Sequence, residues 1–188
     1  MSGGSLRDRM TGKGRLPLSE TVRWARNVLA ALRAIADQRL LHRNLTPSCI
    51  LFDEQDQAKV GDFVMMRGKS VDSFQQITRA EAPSGEHIYQ APEQVQGSRD
   101  LTPSCDLYSL AVILYEALTG QPLFPTNLRL PDTLSAICQQ PVAPLRSINP
   151  ELPAELESLL LLALEKKPER RIQSAEEFER RLLAAVVV

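Results

Sequence analysis

The run Leu107-Tyr108-Ser109-Leu110-Ala111-Val112-Ile113-Leu114-Tyr115 is apolar on nearly every side of a helix. Such a helix cannot lie on a surface. It needs neighbours all round and forms the centre of its domain. Thr102-Pro103 marks its start, with Thr102 as cap and proline in the first turn, and Gly120 marks its end.

The flanking sequence supplies the surrounding elements. Pro17 and Ser19 open a long helix, with Ser19 as its cap, and Val22, Ala25, Leu29, Leu32 and Ala36 form its buried stripe. Arg23, Arg26 and Arg33 fall off that stripe, and Trp24 packs beside it. Further helices are expected over 130–139, over 153–164 behind Pro153, and after Ser174, where Glu177 completes a capping box and Phe178, Leu182 and Ala185 face inward. Ile50-Leu51-Phe52 and Ala58-Lys59-Val60 flank a polar turn and read as one small β-hairpin. Residues 65–90 are polar and irregular, and so long a connection in a compact domain is functional or mobile. No repeat and no second domain are visible.

Composition narrows the function classes. The 188 residues are 43% hydrophobic and 24% charged, with a net charge of −1, which is globular and carries no footprint for nucleic acid. The basic run Arg7, Arg9, Lys13, Arg15 reads as a solvated loop or helix face. Gly12-Lys13 is no phosphate loop, because Arg7 and Gly14 stand where glycine and Ser or Thr are required. Cys49, Cys105 and Cys138 show no CxxC spacing and read as reduced thiols in a cytoplasmic protein. The two histidines lack ligand-type neighbours, which argues against zinc, and no apolar run reaches the length of a membrane span.

The informative motifs come in a fixed order. His42-Arg43-Asn44-Leu45-Thr46-Pro47-Ser48-Cys49 precedes the hairpin and Asp62-Phe63-Val64 follows it. Ala91-Pro92-Glu93 closes the irregular stretch, Asp106 lies in the central helix, and Arg171 follows Lys167-Pro168-Glu169-Arg170. Together they resemble the C-terminal lobe of a eukaryotic-like protein kinase of the bacterial Ser/Thr type, from Gly3 to Leu183. The resemblance implies a mainly α fold (α+β in the family sense): a helical lobe with one β-hairpin and no N-terminal lobe. It divides a single domain, 1–188, into a post-hinge segment (1–16, with Gly3-Gly4-Ser5-Leu6), a degenerate catalytic loop and hairpin (42–64), an activation-loop-like segment (65–93) and a helical subdomain (102–188).

The resemblance also assigns roles and exposes departures. Asn44 stands at the position of the catalytic aspartate, Thr46 at that of the phosphate-neutralising lysine, and Cys49 at that of the asparagine holding a second magnesium. An amide has no useful basicity, and losing a general base costs roughly 10²–10⁴ in rate. Sulfur is a poor ligand for a hard ion. Val64 replaces a glycine, and Glu86 a threonine. Asp62 is the surviving candidate magnesium ligand, or else a solvated carboxylate. His42 is structural. Arg43 pairs either with a phosphorylated Ser70, Ser73, Thr78 or Ser84, or with backbone and nearby acids. Glu93 and Arg171 form a buried ion pair, and Asp106 accepts hydrogen bonds from the backbone near His42 and Arg43. Cys49 packs as an inert thiol.

The Gly-rich loop, strand lysine and helix glutamate that grip ATP in the family are missing from these residues. The implied function is a catalytically impaired, pseudokinase-like scaffold or regulator needing no cofactor. Its partner is another protein, an active kinase or a second copy, met through an apolar upper face. The alternative is a Ser/Thr kinase fragment that uses ATP and magnesium when an N-terminal lobe is supplied.

Overall fold

The computed structural model describes residues 3–62 and 86–186. Among these residues seven α-helices and one two-stranded sheet run in the order α1 Leu6–Lys13, α2 Leu18–Asp37, β1 Ile50–Phe52, β2 Ala58–Val60, α3 Pro92–Val95, α4 Ser104–Thr119, α5 Leu130–Gln139, α6 Ala154–Ala163 and α7 Ala175–Ala184. The apolar run is the centre of α4, in which every residue but Glu116 is buried. Helix α2 packs against α4, α7 and β2, and α6 packs against α4 and α7. Gly120 ends α4 at φ 72°, and a side chain there would also meet the backbone of Arg15 at 3.0 Å.

Helix starts differ from the sequence reading in detail. Helix α4 begins at Ser104 and its N-cap is Pro103. Thr102 supplies a backbone carbonyl to Cys105 N–H at 3.0 Å, so its hydroxyl is not needed as a cap and meets Ser104 Oγ instead. Helix α2 is entered from Pro17, whose carbonyl accepts from Thr21 N–H at 2.9 Å, and Ser19 lies inside the first turn, too late to cap. At α7, Ser174 Oγ accepts from Glu177 N–H at 3.1 Å, but the Glu177 carboxylate pairs with Arg181 at 2.7 Å. Only the serine half of that capping box is used.

The basic run near the start is not merely solvated. It is α1, opened by a reciprocal capping box: Ser5 N–H donates to Asp8 Oδ2 at 2.8 Å, and Asp8 N–H to Ser5 Oγ at 3.2 Å. Arg9 lies over the Phe52 ring and pairs with Glu20 and Asp56, which ties α1 to α2 and the hairpin turn. The strands pair antiparallel, Leu51 opposite Lys59. Gly3 and Gly4 run along β1, where Gly3 N–H donates to Phe52 O at 3.1 Å and Phe52 N–H to Gly4 O at 2.9 Å. A Cβ on Gly3 would come within 2.8 Å of Phe52 O, so only glycine passes there.

The upper face was expected to show apolar surface. Among the described residues the large exposed hydrophobic side chains are Leu128 and Leu130, at the start of α5 and outside the catalytic-loop and hairpin segments. On the hairpin, Ile50 and Phe52 point into the core and Leu51 is half-covered. Among the described residues no helix is long and apolar enough to cross a membrane.

Burial pushes the thiols of Cys49 and Cys105 above their ordinary 9.0, and the phenols of Tyr89, Tyr108 and Tyr115 above 10.0. These groups ionise first in the unfolded chain, so the native state holds more protons and loses stability as pH rises past those values. Lys166, lowered to about 8 by burial, acts in the opposite sense between there and its ordinary 10.5, as one group against several. The urea midpoint at about pH 10.5 is predicted to lie below that at about pH 8. An equal or higher alkaline midpoint contradicts this.

Candidate functional site

The loop between α2 and β1 is shaped by one carboxylate. Asp106, in the first turn of α4, is 4% exposed. Its Oδ2 accepts from His42 N–H and its Oδ1 from Arg43 N–H, both at 2.8 Å. Burial pushes the Asp106 carboxyl up, and these two backbone donors oppose that shift. Arg43 has φ 65°, a left-handed conformation costly for a residue with a side chain. It is held from both ends, because its carbonyl accepts from Gln94 Nε2 at 2.7 Å. Gln94 Oε1 in turn accepts from Ala91 N–H at 3.0 Å, so one amide bridges α3 to the loop.

His42 is fully buried, and its Nε2 meets the Gly61 carbonyl at 2.9 Å, with the ring N–H donating. That bond fixes the residue before Asp62. Asp62 itself is exposed, with φ 60°. Phe63, Val64, Ser70, Ser73, Thr78 and Ser84 lie outside the described residues. The Arg43 guanidinium makes no hydrogen bond or ion pair with a described residue.

The substituted positions close on each other. Thr46 Oγ1 lies 3.3 Å from Cys49 Sγ, and the thiol donates to the Asn44 carbonyl at 3.4 Å. Both Thr46 and Cys49 are buried. Desolvation raises the Cys49 thiol above its ordinary value, and Asp62 and Glu86 add to the shift, which places both carboxylates in the same electrostatic neighbourhood. A second magnesium does not fit this donor set: the ligand position holds a neutral, buried sulfur already hydrogen-bonded within its own loop. Among the described residues no group of three His, Cys, Asp or Glu side chains gathers to hold a metal.

The scaffold behind the loop is intact. Arg171 and Glu93 form a bidentate pair, Nη1 to Oε1 and Nη2 to Oε2, both at 2.7 Å. Arg171 Nε also donates to Glu165 O at 2.6 Å and Nη2 to Lys166 O at 2.9 Å, while its guanidinium lies 4.7 Å from the centre of the Tyr108 ring. A charge this deeply buried is tolerated because its donors are satisfied.

Sequence reasoning missed two further contacts. One is Gln94, directly after the Ala-Pro-Glu motif. The other joins Arg7, Tyr89 and Glu116: the Tyr89 hydroxyl donates to Glu116 and accepts from Arg7, and Arg7 Nη1 lies 3.0 Å from Glu116. Burial and the Glu116 carboxylate raise the Tyr89 phenol above its ordinary range. Glu116, a late charge in an otherwise buried helix, was the available signal.

A loop pinned by an aspartate of the central helix, a hairpin carrying Asp62 and a Glu–Arg clamp beneath define the helical lobe of a protein kinase. Residues 1–182 match the family model described as protein kinase domain, and the chain belongs to the protein kinase family. It is 34% identical over 178 residues to a probable serine/threonine-protein kinase of Clostridium perfringens, covering 94% of this chain and 25% of that protein. It is 37% identical over 139 residues to the tyrosine-protein kinase MasK of Myxococcus xanthus, covering 74% and 21%. With the serine/threonine-protein kinase PknB of Mycobacterium tuberculosis it shares 30% identity over 177 residues, covering 94% and 28%. The chain thus spans about a quarter of the length of these relatives.

Arg171→Met is predicted to cost about 3–5 kcal/mol by leaving Glu93 charged and buried, whereas Arg26→Ala, which removes the exposed pair with Glu179, costs under about 1 kcal/mol. Urea unfolding of both variants checks the contrast. Asp106→Asn removes one acceptor and is predicted to speed amide exchange at His42 and Arg43 by roughly tenfold or more. Unchanged protection at both amides contradicts the anchoring role.

Proposed function

We propose that this chain is a catalytically impaired protein kinase-like domain that acts as a protein-binding scaffold or regulator. The observation that carries the reading is the closed Asn44–Thr46–Cys49 arrangement. At the family's base, lysine and second-magnesium positions stand an amide, a buried hydroxyl and a neutral thiol, and the last two bond within their own loop. The anchors that give the loop its shape, Asp106, Gln94 and the Glu93–Arg171 clamp, are kept. A loop that has its shape-giving contacts but not the proton acceptor supports a binding role. The partner in this reading is a protein, either an active kinase or a second copy of this chain, engaged through the side that carries the hairpin and Asp62.

One feature favours a second reading. Asp62 is exposed, and the His42–Gly61 bond fixes the backbone before it. It would serve as one hard ligand for magnesium-bound ATP, with slow transfer to Ser or Thr, if an N-terminal lobe completed the nucleotide site.

The two readings separate in solution. With magnesium and radiolabelled ATP, the purified chain is predicted to incorporate no label into itself or a general Ser/Thr substrate, and its melting temperature is predicted not to move with nucleotide. Robust labelling overturns the scaffold reading, and a nucleotide-dependent shift abolished by Asp62→Ala supports the second. Light scattering that shows a strict monomer, together with no binding to an active kinase, overturns the proposed partners.

A further inference from the structure

A cavity of about 570 Å³, with Asp106 in its wall, lies between the end of α2, the start of α4 and the start of α7. Its volume falls within the range of small-molecule sites. Leu32, Ala36, Leu41, Leu107 and Ala175 give it apolar walls. Four charged side chains line it: Arg33, Asp37, Asp106 and Glu176. Arg33, Asp37 and Glu176 are exposed and make no hydrogen bond or ion pair with a described residue.

The balance of charge selects the occupant. Asp37 and Glu176 outnumber Arg33, and Asp106 adds a carboxylate in the wall. The N-terminus of α7 does not reverse this sign, because Ser174 Oγ already accepts from Glu177 N–H and Glu176 lies in the first turn. Gln173 cannot offer its amide donors, since Nε2 is engaged by the Pro168 and Arg171 carbonyls. An apolar body would fill the walls, and a cationic head would meet two carboxylates that have no ion-pair partner among the described residues.

We propose that this cavity is a binding site for a small amphipathic organic cation, such as a protonated amine on an aromatic or short aliphatic body. It is separate from the degenerate catalytic loop and does not depend on whether that loop transfers phosphate. Asp106 faces both, so an occupant rests against the anchor of the loop.

Three probes of one shape test the inference on the full chain: 2-phenylethylammonium, 2-phenylethanol and 3-phenylpropionate, titrated by ligand- and protein-observed NMR. The cation is expected to bind tightest and the anion weakest. The double variant Asp37→Asn/Glu176→Gln, both at exposed positions, should weaken the cation about tenfold and change the alcohol less than about twofold. Arg33→Gln should tighten the cation. Filling the space with Ala36→Met should weaken all the probes, and the wild-type circular dichroism spectrum of each variant establishes that it is folded. The proposal is overturned if none of the probes binds at about 10 mM, if the anion equals the cation, or if the folded double variant binds the cation as the parent does.

Discussion

A helix with no solvent face governs this molecule. Because every residue of α4 but Glu116 is buried, α2 and α6 are placed by contact with it, and the carboxylates it carries have to find donors inside the protein. Asp106 finds them in the backbone of the loop that precedes β1. Glu116 finds them in Tyr89 and Arg7. The hydrophobic demand of one helix thereby fixes two polar junctions, one at each end, and these determine where the catalytic-loop segment and α1 sit.

The same division runs through the candidate site. Side chains that hold backbone in place, such as Asp106, Gln94, His42 and Arg171, are buried and well bonded. Thr46 and Cys49, in the same loop, are buried and lie against one another. Thr46 and Cys49 are small enough to be buried there, where a lysine could not leave its ammonium without solvent or a counter-charge.

Much of this was legible in the sequence because it rests on periodicity and on motifs with fixed order. The apolar run of α4 and the hairpin positions Ile50, Phe52, Ala58 and Val60 report burial directly; of the α2 stripe Ala25, Leu29 and Leu32 are buried, whereas Val22 and Ala36 are half-buried and Trp24, Val28 and Ile35 complete the inner face. The Glu93–Arg171 clamp and the Asp106 anchor came from resemblance, since nothing in local spacing links residues 78 or 64 positions apart. The misreadings were local. Thr102 and Ser19 have the chemistry of caps, but the first turns are opened by backbone carbonyls instead, that of Thr102 before Pro103 and that of Pro17 itself. The basic run reads as solvated in the sequence because its partners, Glu20, Asp56 and Glu116, lie outside it along the chain.

The reach of these polar bonds has a kinetic meaning. Arg7 meets Glu116 across 109 positions, and Asp106 holds Arg43 across 63. Contacts of that separation form only after the helices have gathered, since the entropy of closing such loops must be met before any bond rewards it. The left-handed turn at Arg43 therefore has no local means of support during folding. It is acquired late and cooperatively, so any fragment that omits α4 forfeits the geometry of the entire catalytic-loop segment.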